Sequence, residues 1–79
     1  MDISPVPIAG LGVDAQEHLN RLQAAGIQVQ VHKLGEKHYS CRARFDDGRD
    51  PQVTYAVTPD QSVQQTFTTV QTLWSELFK

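Results

Sequence analysis

The stretch "GIQVQVHKLGEKHYSCRARFDDG", residues 26–48, alternates apolar and polar side chains along two successive runs. Ile27, Val29 and Val31 form one apolar set, and Tyr39, Cys41, Ala43 and Phe45 form the other. A period of two marks a half-buried strand, and the break at Leu34-Gly35-Glu36 marks a turn, so the segment reads as a β-hairpin. Because one face is buried, a slip of one residue would turn every side chain to the wrong side. Matching faces require an odd loop. Three residues would set Lys33 opposite Lys37 and His32 opposite His38. Five would set His32 opposite Ser40 and Gln30 opposite Arg42.

A third, shorter alternation follows in "QVTYAV", with Val53, Tyr55 and Val57 read as inward and Thr54 as outward. Asp46-Asp47-Gly48-Arg49-Asp50-Pro51 supplies the turn chemistry that separates it from the hairpin.

Helical signals flank these strands. Asp14 is placed to cap a helix over about 14–25, with Glu17 as capping-box partner, Ala15, Leu19 and Leu22 on one face, and Gly26 as the left-handed stop. Thr58-Pro59-Asp60-Gln61 combines an N-cap, a proline at the first helical position, an acid in the first turn and a capping-box glutamine. Val63, Phe67, Val70, Trp74 and Leu77 then trace a seam that predicts a helix over 59–78, with Trp74 packed on the sheet. The expected fold class is α+β. A three-stranded antiparallel sheet carries two helices on one face, in the order arm-α-β-β-β-α, with its other face open to water.

Residues 1–12, with Pro5 and Pro7, read as an extended N-terminal arm or edge strand whose Ile3, Val6, Ile8 and Leu11 lie on the core; residues 13–79 read as a single domain. A 79-residue chain buries only roughly 60% of its unfolded surface, so burial against a partner would add to a thin stability margin. One cysteine excludes an internal disulfide and a cysteine-based zinc cluster, and favours a reducing, cytoplasmic setting. The first residues have no basic, unbroken apolar signal pattern, and no run reaches a membrane-spanning length of about 20 apolar residues.

The α-β-β-β-α order resembles the double-stranded-RNA-binding domain, as does Gly35-Glu36-Lys37-His38 in the hairpin loop. That family's phosphate grip is a lysine cluster opening its second helix. The corresponding stretch here is "PDQSVQQ", with an acid and no lysine, so the resemblance is one of topology and carries no family assignment.

The open sheet face gathers Gln28, Gln30, His32, His38, Ser40, Arg42 and Arg44, with Lys37 at the hairpin tip. Arg42 and Arg44 project about 7 Å apart, a spacing that suits two carboxylates or phosphates. The competing expectation is that Asp46, Asp47 or Asp50 neutralises them. His32 and His38 would supply only two ligands to a metal, too few for structural zinc. Cys41 reads as a small core residue rather than a nucleophile, and His18 as an exposed helix residue. The sequence contains no phosphate-cradling glycine loop and no Ser-His-acid signature.

These features predict a non-enzymatic module without cofactor that binds another protein stoichiometrically, as an adaptor or as an immunity-type or phage anti-defence inhibitor. One alternative is nucleic-acid binding through Arg42, Arg44 and Lys37, which the net charge of −2 does not favour. Another is homo-oligomeric assembly through Trp74 and Phe78; monomer and homodimer both remain open.

Overall fold

A computed structural model describes residues 4–6 and 10–78. It contains β1 (Ser4–Pro5), α1 (Val13–Ala24), β2 (Gln28–Gly35), β3 (His38–Arg44), β4 (Gln52–Ala56) and α2 (Pro59–Leu73), then a 3-10 turn at Ser75–Phe78. The sheet is antiparallel throughout, in the order β1-β2-β3-β4. Three strands therefore form the body of the sheet, as expected, and the arm contributes a two-residue edge strand. Ile3 and Ile8, read as core-facing arm residues, lie outside the described residues.

Both helices cover the same face. Leu11, Ala15 and Leu19 meet Val31, Cys41 and Val63 in one buried cluster; Leu22, Ile27, Ala43, Phe67 and Val70 form a second. No helix among the described residues is long and apolar enough to cross a membrane.

The hairpin adopts the longer of the two registers. His32 lies opposite Ser40, Gln30 opposite Arg42 and Val31 opposite Cys41, with a shift between Lys33 and Gly35 that leaves Leu34 bulged. Lys37 takes a left-handed φ of 53° to close the turn. His32 and His38 are consequently not cross-strand neighbours, because His38 faces Gly35.

β4 reverses the expected face. Thr54 lies opposite Cys41 and Val53 opposite Arg42, so Val53 and Tyr55 share the outer face with the arginines. Val53, Tyr55 and Val57 are 46%, 59% and 57% exposed. The cause lies in the cover. Above β4, α2 presents Gln61, Gln65, Thr68 and Thr69, which line a groove with Thr54. A strand roofed by uncharged polar side chains turns its small and polar residues inward, and its large apolar ones remain outside.

α2 begins as its sequence dictates: Thr58 caps it, its Oγ1 accepting from the Gln61 N–H at 3.1 Å. It ends five residues short of the expected 78. Trp74 leaves helical geometry and stacks edge-on against Phe45 at 4.9 Å, half-buried. The turn that follows folds Phe78 back to within 5.0 Å of Phe67.

α1 ends in the expected way, with Gly26 at φ 84° and the Ile27 N–H donating to the Leu22 carbonyl at 3.1 Å. Its start differs. Gly12, not Asp14, is the N-cap, and no side chain of α1 caps it. The Asp60 carboxylate, in the first turn of α2, instead accepts the Gly12 N–H at 3.2 and 3.1 Å. His18 is half-buried rather than exposed, its ring stacked on Phe67 at 4.6 Å. The two helices thus meet through a carboxylate at one end and a stacked ring pair further along.

A β-carbon on Gly12 would lie 2.6 Å from Asp60 Oδ2, which predicts that the two positions are energetically coupled. Asp60→Ala is expected to cost about 1 kcal/mol, and Gly12→Ala to destabilise the wild-type chain by displacing the carboxylate. In the Asp60→Ala background the clash is gone, and Gly12→Ala should cost less than in the wild type, since only the poorer N-cap remains, offset in part through the unfolded state. A denaturant-based double-mutant cycle measures both.

Candidate functional site

The outer sheet face is built in rows by the strand register. Pro5, His32, Ser40 and Tyr55 form one row, and Gln30, Arg42 and Val53 the next. Gln28 and Arg44 form the third. Ser40 is only 8% exposed and makes the floor. Around it Gln30, His32, Leu34, Arg42, Val53 and Tyr55 enclose a shallow depression of about 320 Å³. Beside it, the His38 ring lies 5.9 Å from that of Tyr55.

Seven of the expected residues, Gln28, Gln30, His32, His38, Ser40, Arg42 and Arg44, belong to this one face. Lys37 stands exposed at the hairpin tip. Thr54, also expected here, belongs to the opposite face, where it lines the α2 groove. What sequence reasoning missed is the apolar part of the surface: Val53 and Tyr55, with Leu34 half-buried at the rim and exposed Val57 just beyond the strand. The available signal was the row of glutamines and threonines on one flank of α2, which has no apolar strand to match.

The acids that could have neutralised the arginines are not engaged with them. Asp47 pairs with Arg49, which also reaches Glu76 at 3.5 Å and lies over the Trp74 ring at 5.5 Å. Among the described residues Arg42 and Arg44 form no ion pair, and no Asp or Glu sits in the rows of the face. An arginine with neither partner nor burial keeps its full donor fork for an incoming acceptor.

Ser40 and His32 are register neighbours, but no hydrogen bond joins them and no carboxylate on the face orients the imidazole. Among the described residues no three His, Cys, Asp or Glu side chains converge as a metal site would require. Cys41 lies on the reverse side of β3, fully buried. Burial pushes its thiol above the ordinary range, and a weak polar contact with the Thr66 hydroxyl opposes that shift. The chain matches no protein-family model, no curated protein and no solved structure.

A thiol whose folded pKa is raised keeps its proton where the unfolded chain has already lost it. The resulting stability is intact below the unfolded thiol value and declines as pH rises from there through the folded value. Thermal melts across mildly alkaline pH should show this decline in the wild type and a shallower one in Cys41→Ala. A thiol reagent should label the native protein only at the rate of its opening.

Proposed function

We propose that the chain is a non-enzymatic protein-binding module, working in a reducing, cytoplasmic setting, whose outer sheet face docks onto an acidic patch of a partner protein. The observation that carries this reading is the joining of two surfaces on one rigid sheet. Exposed Val53 lies opposite Arg42 and exposed Tyr55 opposite Ser40, next to Arg42 and Arg44, which form no ion pair among the described residues. Productive interfaces combine a central aromatic or apolar anchor with a charged surround, and arginine and tyrosine are the residue types that most often dominate their energetics. A cluster of exposed apolar side chains on one strand is also more than scattered surface chance requires.

Tyr55 is the anchor in this arrangement and Ser40 the floor beneath it. Arg42 and Arg44 select the sign of the partner and fix its register through bidentate bonds to carboxylates. Adaptor and stoichiometric inhibitor are both roles that such a contact serves. The arginines beside an exposed tyrosine would also suit single-stranded nucleic acid, where rings stack on bases. The two readings separate by salt, since phosphate binding weakens steeply with ionic strength.

The test is affinity capture from host-cell extract, nuclease-treated and repeated at rising salt. The double variant Arg42→Glu/Arg44→Glu should keep its fold, because exposed charges typically change stability by less than about 0.5 kcal/mol each. It should nonetheless lose the captured protein. Tyr55→Ala should weaken capture by roughly thirtyfold, the scale of a 2 kcal/mol anchor. Capture undiminished in both variants would move the working surface elsewhere, and a captured species removed by nuclease would assign the face to nucleic acid.

A further inference from the structure

The two edges of the sheet are treated differently. On one side β2 is covered by β1, whose Pro5 has no N–H to offer a further strand. On the other side the edge of β4 that faces away from β3 has no strand partner among the described residues. Devices that normally blunt such an edge are missing from it. Residues 51–57, "PQVTYAV", contain no charge, no proline inside the strand and no bulge in the pairing with β3.

The direction of the free backbone groups follows from one bond. The Val6 N–H donates to the Val31 carbonyl at 2.8 Å, so the main chain of Val31 points toward β1. Alternation along antiparallel strands then sends the groups of Gln30 and His32 toward β3, and those of Cys41 toward β4. In β4, Thr54 points back to β3, which leaves the N–H and C=O of Val53 and Tyr55 aimed outward.

We propose that β4 pairs with β4 of a second copy of this chain, antiparallel about a two-fold axis at Thr54. That placement sets Val53 opposite Tyr55 of the other copy, joined by outward backbone groups, and Thr54 opposite Thr54. Each is a favourable cross-strand pair, one branched-aromatic and one threonine-threonine. The occupant is a second copy because the strand is self-complementary: any charge in it would meet its own sign near the axis, and none is present. The flank agrees. The groove beside β4, about 480 Å³, is lined only by uncharged Thr54 and the glutamines and threonines of α2. The pairing leaves the outer face open and does not rest on its proposed role.

Sedimentation from micromolar to millimolar concentration tests the pairing. The expected result is a rise toward twice the chain mass. Val53→Pro should abolish that rise while preserving the fold, since it removes an outward N–H and none that faces β3. Arg42→Glu/Arg44→Glu should dimerise like the wild type, which keeps this result separate from loss of partner binding. Thr54→Cys in a Cys41→Ala background, which removes the thiol opposite it in the same chain, provides the independent measurement: the two-fold brings the two copies of position 54 within disulfide reach, and mild oxidation should yield covalent dimer. A wild-type chain monomeric throughout, a Val53→Pro variant that still dimerises, or no covalent dimer from Cys41→Ala/Thr54→Cys would overturn the pairing.

Discussion

The fold depends on how little space Cys41 and Ala43 occupy. Both are fully buried in β3, flanked across the strands by Val31 and Val29. Small side chains in the middle strand let the Val63–Phe67–Val70 seam of α2 descend onto the sheet, with Leu19 and Leu22 of α1 closing the other side. Close packing at this density means that a larger residue at either position would lift α2 and open both clusters together. The chain is too short to hold a second core in reserve.

With the helices committed to that face, the other has no cover. The same register that buries Cys41 and Ala43 turns Ser40, Arg42 and Arg44 outward, so core and candidate site are two readings of one strand. This is why the site residues of β2 and β3 were legible from alternation alone. The burial of one set dictates the exposure of the other.

Legibility ended where tertiary cover decided the outcome. The apolar alternation of Val53, Tyr55 and Val57 is a valid strand signal, but alternation does not say which face is roofed by apolar atoms. At β4 the roof is glutamine and threonine. Trp74 continues the helical spacing without fault, and only its stacking on Phe45, with Arg49 over the ring, draws it out of the helix. Asp14 has the sequence of a cap, yet Asp60, distant along the chain, makes the bond at that end of α1. His18 has the pattern of a surface residue, yet its ring stacks on Phe67. The departures at Trp74, Asp14 and His18 each involve a partner far away in sequence, and that at β4 a packing choice between elements, neither of which a local pattern can specify.

The carboxylate of Asp60 on the Gly12 N–H has a kinetic meaning as well. It spans 48 residues, whereas the β2–β3–β4 meander joins neighbours in sequence through short loops. Closing a long loop costs entropy before the contact can reward it, so the meander can assemble early and this bond forms only once both helices are docked. An interaction absent from the transition state governs how long the native fold survives, not how quickly it is reached. The exposed aspartate at the head of the second helix is therefore expected to slow unfolding more than it speeds folding.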